Sequence, residues 1–198
     1  AKAGRVYLVD LPGYGSAPDP RRDVSLADHA AVLAAILEAA ALRDPVVVGH
    51  SMGAQIVARL AIQHPDTVRQ IVLMAPTMPP DARSLPKAAG RLLHDAVREP
   101  PIVTWIALTD YFVRTGLRYL LRQTPHMLED HLEHDLPTVT AGTLVLNGHR
   151  DPIVPVEWAE ATAALVPGGR CEVVHGAHVI MITDPVGVAQ HIRENADR

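Results

Sequence analysis

Three side-chain types that can together perform acyl-transfer chemistry occur in separate stretches of the sequence: Ser51, Asp151 and His178. A serine hydroxyl is a weak nucleophile at neutral pH and needs a base to take its proton. Histidine has a suitable pKa, and a carboxylate behind it selects the ring tautomer and stabilises the imidazolium. These residues are therefore the candidate nucleophile, orienting acid and base.

Ser51 lies in the pattern Gly-x-Ser-x-Gly, from Gly49 to Gly53, between a run of valines and a helix-forming stretch. A strand that turns sharply into a helix strains its turning residue and pushes that side chain outward. The two glycines lack Cβ atoms, so strand and helix can approach closely. We expect Ser51 at a helix N-terminus, where free N–H groups favour negative charge. The backbone N–H of Met52 is the predicted oxyanion donor.

The composition limits the classes of function. A chain of 198 residues can bury one sizeable core, and a net charge of −4 does not indicate a nucleic-acid partner or an anionic membrane. Cys171 is the only cysteine in the sequence, which excludes an intrachain disulfide and a cysteine-rich metal site. No apolar run reaches the roughly 18 residues that cross a bilayer. We predict no cofactor and no metal, and we expect a cytoplasmic location.

Alternating strand and helix patterns predict parallel βαβ units and hence an α/β sheet with helices on both faces. Ser25 is the predicted N-cap of the first helix, with Asp28 in the capping-box position. The elements predicted in this part are a buried strand at 5–10, a helix from 25 to about 42, a strand at 46–49, a helix from 51 to about 64 and a strand at 71–75.

The pattern changes between residues 77 and 142, where prolines and helical spacing replace strands. Ile102 to Leu121 has apolar residues close to helix spacing and is predicted as a helix. Strand and helix patterns then resume, at 143–147, 157–165, 171–174 and 185 to about 194. We therefore divide the chain into a first core part (1–76), a helical cap insertion (77–142) and a second core part (143–198).

Four motifs together resemble the α/β-hydrolase family, in its serine-nucleophile, cap-bearing branch. They are Asp10-Leu-Pro-Gly-Tyr-Gly, Gly49-His-Ser-Met-Gly, Leu146-Asn-Gly-His-Arg-Asp-x-x-Val-Pro and Gly176-Ala-His. The resemblance implies a mostly parallel α/β-hydrolase sheet with a helical cap, and a serine hydrolase that cleaves a small or medium carboxylic ester through an acyl-enzyme. It leaves open thioester, lactone or carbon–carbon bond hydrolysis, cofactor-free haloperoxidase chemistry, and a non-catalytic binding protein on the same fold. The expected partner is a small ester-like molecule, with no nucleic acid and no membrane.

Several histidines compete with His178 for the role of base. His175 is the strongest rival, but it still belongs to the strand pattern, whereas Gly176 places His178 in the loop that follows. His149 lies near the candidate acid and is a weaker rival. His50 is next to the nucleophile, but its side chain is expected to point away from that of the serine, in a structural role.

Other aspartates compete with Asp151 for the role of acid. Asp110 and Asp135 lie in the predicted insertion and are expected at the solvated surface. Asp184 precedes a proline and is expected to cap the last helix. Asp151 follows a predicted strand directly, and open α/β sheets gather their sites at the carboxyl ends of strands.

The resemblance also implies more sheet than these residues supply. The family sheet normally begins with further strands and with a loop that provides the second oxyanion donor. In the family's order a third strand lies between the predicted strands at 5–10 and 46–49. We therefore expect an upstream segment or a companion chain to fill a gap of about 9–10 Å between them.

Overall fold

A computed structural model describes residues 4–109 and 116–197 of the chain. Its core is a parallel sheet whose strands follow one another in chain order: β1 (Val46–His50), β2 (Gln70–Met74), β3 (Gly142–Gly148) and β4 (Arg170–Val174). The predicted α/β fold with a mostly parallel sheet is confirmed. All four carboxyl ends lie at one edge, where open α/β sheets place their sites.

The helices lie before, between and after these strands. Their bounds are α1 (Leu26–Ala39), α2 (Met52–Gln63), α3 (Leu85–Arg98), α4 (Pro101–Thr109), α5 (Leu117–Leu128), α6 (Leu132–Asp135), α7 (Val156–Leu165), α8 (Ile180–Thr183) and α9 (Pro185–Ala196), with 3₁₀ turns at Pro80–Ala82 and Leu136–Thr138. The segment between β2 and β3 is helical in its described part. The role of this segment as a cap, and the domain bounds drawn around it, stay predictions.

Alternate residues of the central strands face opposite layers of helix. Ile71 and Leu73 pack in one apolar cluster with α1, α2 and α7. Val72 and Met74 pack in a second cluster with α9 on the other face. The period of two in a strand places neighbouring side chains on opposite faces, so a continuous apolar run is buried on both sides.

The first helix begins where the sequence predicts. The Ser25 hydroxyl accepts a hydrogen bond from the Asp28 N–H, and the Asp28 carboxylate accepts one from the Ser25 N–H at 2.9 Å. This reciprocal capping box satisfies two backbone donors that the first turn cannot pair internally. The helix ends at Ala39, three residues before the predicted end at Leu42.

The strand predicted at residues 5–10 is wrong. These residues form no strand, and Val6 and Leu8 are 77% and 95% exposed. Among the described residues β1 pairs with β2 alone, and Val48 on that edge strand is 37% exposed. An apolar run becomes a strand only where a neighbour accepts and donates its ladder hydrogen bonds. The expected intervening strand stays a prediction.

The continuous helix predicted from Ile102 to Leu121 is also wrong. The structure has α4 ending at Thr109 and α5 beginning at Leu117, with Gly116 between them at φ +81°. That φ lies in the left-handed region, which glycine tolerates and a right-handed helix excludes. Residues 110–115, including the candidate acid Asp110, lie outside the described residues.

The described residues contain neither a helix suited to cross a membrane nor a cluster of metal ligands. No described helix combines the length and the apolar character needed to cross a lipid bilayer. Within residues 4–109 and 116–197, no three His, Cys, Asp or Glu side chains are grouped to hold a metal ion.

Candidate active site

Ser51 occupies the tight turn between β1 and α2. Its backbone has φ +53° and ψ −123°, a conformation that L-residues rarely adopt. Such strain costs on the order of 1–3 kcal/mol and persists only where the surroundings impose it. The Ser51 N–H donates to the Met74 carbonyl at 2.9 Å, so the end of β2 holds the turn in place. This is the strained turn that the Gly-x-Ser-x-Gly pattern predicts.

The two glycines of the pattern differ in what they allow. A Cβ on Gly49 would lie 2.2 Å from the Gly53 carbonyl oxygen, so only glycine permits this approach of strand and helix. A Cβ on Gly53 would meet no described heavy atom within 4 Å. The expected close approach is therefore confirmed at Gly49, whereas Gly53 has open space around it.

This difference predicts opposite effects of two alanine substitutions. Gly49→Ala should lower the free energy of unfolding by about 1–3 kcal/mol, because the new methyl group collides with rigid backbone. Gly53→Ala should leave stability unchanged or raise it by up to about 1 kcal/mol, since alanine favours a helix more than glycine does. Denaturant unfolding of both variants measures the two values. Equal destabilisation by both substitutions would contradict the geometry of the turn.

The N-terminus of α2 leaves backbone donors beside the serine. The N–H groups of Ala54 and Gln55 donate to the Ser51 carbonyl at 2.9 and 3.3 Å. Met52 begins the helix, so its N–H has no acceptor within α2. The Tyr14 hydroxyl donates to the Met52 sulfur at 3.6 Å and packs the Gly/Pro-rich loop against this end of the helix. The role of the Met52 N–H as oxyanion donor stays a prediction.

The candidate acid and base are joined directly. His178 Nδ1 lies 2.8 Å from Asp151 Oδ2, and the Asp151 side chain is fully buried. The other carboxylate oxygen accepts from the N–H groups of Ile153 and Val154 at 2.7 and 3.0 Å. Both carboxylate oxygens of Asp151 are thus hydrogen-bonded, which holds the side chain in one orientation. His178 Nδ1–H donates to Asp151, which leaves Nε2 as the ring nitrogen that accepts a proton.

The surroundings of His178 favour its protonated form. Burial by itself lowers the pKa of the imidazole. The hydrogen bond and the charge of Asp151 raise this pKa and so counteract the effect of burial. The charges of Asp95 and Glu99 raise it further. The pKa of His178 is raised above its ordinary value as a result. A raised pKa makes the ring a stronger proton acceptor.

His50 connects the turn at Ser51 to the loop that carries His178. Its Nε2 lies 2.9 Å from the His178 carbonyl oxygen, and the two rings are 4.7 Å apart. A carbonyl only accepts, so His50 Nε2 carries the proton. Burial and the neighbouring His178 lower the pKa of His50 to about 3, so this ring stays neutral. The expected structural role of His50 agrees with this contact.

Ser51 and His178 come from elements that end at the same edge of the sheet, but no hydrogen bond joins Ser51 Oγ to the His178 ring among the described residues. Catalytic hydrogen bonds are often long in the absence of substrate and shorten when it binds. Ser51 also faces a small cavity, whose lining includes Gln55, Met78 and Met127. Ser51 therefore borders this cavity, and the loop that carries His178 contacts the adjacent residue His50.

The sequence matches the model of the alpha/beta hydrolase family over residues 1–191. The chain belongs to this family. “Putative carbamate hydrolase RutD” from Serratia proteamaculans is 29% identical over 192 residues, covering 86% of this chain and 71% of that protein. The pimeloyl-(acyl-carrier protein) methyl ester esterase of Yersinia pseudotuberculosis is 27% identical over 228 residues, covering 98% of this chain and 83% of that protein.

Solved structures agree on the fold. The esterase EaEST from Exiguobacterium antarcticum superposes with a TM-score of 0.79 at 17% identity, over 96% of this chain and 80% of that one. At this identity the likeness concerns the fold alone. Family membership, together with the esterase and hydrolase relatives, identifies an enzyme of the hydrolase type.

The structure of this hydrolase separates His178 from its rivals. His175 is exposed and its ring lies 4.9 Å from the ring of His149. Among the described residues neither ring forms a hydrogen bond with Asp151, whereas that of His178 does. His149 Nδ1 instead accepts from the Gly176 N–H at 3.2 Å. Gly176 has φ +135°, and this turn directs the chain so that His178, three residues after His175, is buried beside the acid.

The rival aspartates of the hydrolase have other partners. Asp135 forms an ion pair with Arg59 of α2, which ties the helical segment to the core. Asp184 accepts from the Gly187 N–H at 2.9 Å and caps α9, as the sequence predicts. Of the described aspartates that the sequence offers as acids, only Asp151 contacts His178 through its ring.

Two buried carboxylates near His178, the candidate base, were not found by the sequence analysis. Asp95 Oδ1 accepts from the His178 N–H at 3.3 Å, and Glu99 Oε1 accepts from the Val179 N–H at 2.7 Å. Their spacing of four residues indicates one face of a helix, but that pattern is common on solvated surfaces. Only their burial, 7% and 6% exposed, separates them from ordinary surface charges.

Proposed function

We propose that this hydrolase cleaves a small or medium carboxylic ester through an acyl-enzyme formed on Ser51. The observation that carries the proposal is the buried Asp151–His178 hydrogen bond. It leaves His178 Nε2 as the proton acceptor, at the sheet edge where the strained turn presents Ser51. In this proposal the substrate is a small molecule, with no cofactor, metal, nucleic acid or membrane involved.

In the acylation step, Ser51 Oγ attacks the ester carbonyl carbon and its proton passes to His178 Nε2. Asp151 stabilises the imidazolium that forms. The carbonyl oxygen becomes an oxyanion, to which the Met52 N–H donates at the positive end of α2. The tetrahedral intermediate then expels the alkoxide, which takes the proton from His178 and leaves as the alcohol.

Deacylation reverses the roles with water as the nucleophile. His178 Nε2 takes a proton from water, and the resulting hydroxide attacks the acyl carbon on Ser51. A second oxyanion forms at the same N–H. Its collapse breaks the bond to Ser51 Oγ, returns the proton to that oxygen and releases the carboxylic acid.

The names of the relatives support an acyl bond as the target. One acts on a methyl ester by its name, and another is named a carbamate hydrolase. Both linkages place a carbonyl carbon next to a leaving oxygen or nitrogen, which the same chemistry attacks. A panel of matched esters, thioesters, lactones and carbamates, compared by kcat/KM, tests the proposal that an ester is preferred. A higher kcat/KM on another acyl class would show that an ester is not the preferred substrate, but it would be compatible with the same three catalytic residues.

A fluorophosphonate probe tests the nucleophile. Ser51 Oγ should displace fluoride and form a stable bond to phosphorus, because the base that activates it for esters also activates it here. Peptide mapping by mass spectrometry should locate the label on Ser51. Ser51→Ala should remove the label, and heat-denatured protein should not react.

An exposed serine provides the matched control for this labelling. Ser84 precedes α3, is exposed, and its hydroxyl forms no hydrogen bond among the described residues. Ser84→Ala should therefore label like the parent protein. A label on any residue other than Ser51, or unlabelled protein that still turns over esters, would exclude Ser51 as the nucleophile. The absence of both labelling and turnover would favour the non-catalytic binding protein instead.

A further inference from the structure

Helix α3 is amphipathic, but it exposes apolar side chains and buries carboxylates. Its exposed side carries Leu93 and Val97, which are 71% and 81% exposed. The carboxylates of Asp95 and Glu99 are turned inward, at 7% and 6% exposed. A helix normally buries its apolar stripe and solvates its charges. A buried carboxylate is unfavourable unless it is paired or hydrogen-bonded, so the orientation of α3 requires compensating contacts.

The position within α3 adds to this cost. Asp95 lies in the last turn and Glu99 is the C-cap residue. The C-terminal end of a helix carries partial negative charge and disfavours carboxylates. Glu99 Oε2 is also buried without a hydrogen-bond partner in the described part of the chain. A contribution to the stability of the fold does not explain why two carboxylates lie at this end of α3.

The compensating contacts are with the loop of the base. The N–H groups of His178 and Val179 donate to Asp95 and Glu99 at 3.3 and 2.7 Å. The same helix reaches the loop of the acid, where Arg91 Nη1 donates to the Ile153 carbonyl at 3.2 Å. Helix α3 thus lies across the two loops that carry Asp151 and His178.

We propose that Asp95 and Glu99 are positioning residues that hold the His178 loop from α3 and stabilise the protonated His178 ring. The inference rests on the proposed function, in which that ring gains and returns a proton in each half-reaction. The hydrogen bonds fix the backbone from which the ring projects. The charges act through space on the ring itself.

The groups that face His178 come from three sides. Asp151 follows β3, Asp95 and Glu99 belong to the C-terminal end of α3, and His50 ends β1. His50 is neutral, so the three carboxylates dominate. Negative charge stabilises an imidazolium, so each carboxylate raises the pKa of His178 and removal of one should lower it.

Asp95 is itself a titratable group beside His178. Burial raises the pKa of Asp95, whereas the charge of His178 lowers it. The charges of Glu99 and Asp151 raise it again, and the resulting pKa of Asp95 is about 6. Because Asp95 and His178 interact, the protonation state of Asp95 alters the charge that acts on the His178 ring. A charge change on α3 is transmitted directly to the ring.

Neutral amide substitutions test the charge separately from the hydrogen bond. Asp95→Asn and Glu99→Gln keep an oxygen acceptor and nearly the same shape. For a base catalyst, kcat/KM falls as pH drops through the pKa of the free base. Each substitution should therefore move the midpoint of that acidic limb to lower pH, by at least about 0.5 unit. If the two carboxylates had a purely structural role, the substitutions would change the plateau value of kcat/KM but not the pH at the midpoint of the acidic limb.

The matched control is Glu129→Gln. Glu129 is an exposed carboxylate at the C-cap of α5 in the same helical segment, so its removal alters net charge equally. Its midpoint should equal that of the parent protein. Asp95→Asn and Glu99→Gln midpoints that also equal the parent value would overturn the proposal.

An NMR titration of the His178 ring gives a readout that does not require turnover. It is recorded in a Ser51→Ala background, with and without Asp95→Asn or Glu99→Gln. The pKa of the ring should fall in both double variants if the carboxylates act on it. If the pKa falls but Ser51 in the parent protein is not labelled, the carboxylates do act on the His178 ring, and the proposed ester hydrolysis is wrong. An unchanged pKa together with normal labelling would reject the contact and retain the hydrolase.

Discussion

Replacing His178 with alanine is expected to reduce kcat for ester hydrolysis by at least about 10⁴. In the proposed mechanism its Nε2 removes the Ser51 proton, and among the described residues no other imidazole hydrogen-bonds to Asp151. Without the base, the serine remains a neutral alcohol at neutral pH. Burst-phase kinetics with an activated ester separate loss of acylation from loss of product release.

His175→Ala is the matched control for this substitution. It removes an imidazole three residues away that is exposed and contacts only the ring of His149 among the described rings. Its kcat should stay within a few-fold of the parent value. If His175→Ala abolishes turnover and His178→Ala does not, the assignment of the base is wrong. Circular dichroism of both variants excludes unfolding as the cause.

Asp151→Asn is expected to reduce kcat by up to about 10⁴ while the fold remains intact. The geometry gives the reason. The N–H groups of Ile153 and Val154 require an acceptor, so the amide oxygen of the new side chain must replace Oδ1. Its NH₂ group then faces His178 Nδ1 and donates to it. The ring is held in the tautomer with the proton on Nε2, which cannot accept the proton of Ser51.

Asp135→Asn tests whether the loss is specific to the acid of the triad. Asp135 pairs with Arg59 rather than with a histidine, so its substitution should lower stability without a comparable fall in kcat. The two aspartate variants are compared by thermal unfolding and by kcat at the plateau of the pH profile. A similar fall in kcat for both would indicate a general effect on folding. An unchanged kcat in Asp151→Asn would remove Asp151 from the mechanism.

Local chemistry made much of this hydrolase predictable from its sequence. The turn at Ser51 follows from valines that favour a strand, a glycine that the approach of strand and helix requires, and a helix-forming run directly after it. The capping of α1 by Ser25 and of α9 by Asp184 also depends on residues no more than three positions apart. The parallel sheet follows because alternating strands and helices leave few other ways to bury both faces.

The sequence also placed Asp151 and His178 just after strands, but it left other residues open for each role. The decision between His175 and His178 depends on the path of one loop. Gly176 turns the chain so that only the later histidine is buried against the carboxylate. The pattern favours His178 because Gly176 follows the predicted strand, but the burial of its side chain against the carboxylate depends on packing between distant segments.

Tertiary structure alone decided the remaining points, because each depends on segments far apart in the chain. The apolar run at 5–10 is a strand by composition, yet it has no ladder partner in the described structure and is exposed. Asp95 and Glu99 have the spacing of surface charges, and their burial and contacts appear only when α3 is placed on the loop of His178, which is 83 residues from Asp95. Sequence periodicity determines which face of a helix is apolar, whereas the packing of the whole chain determines which face is buried.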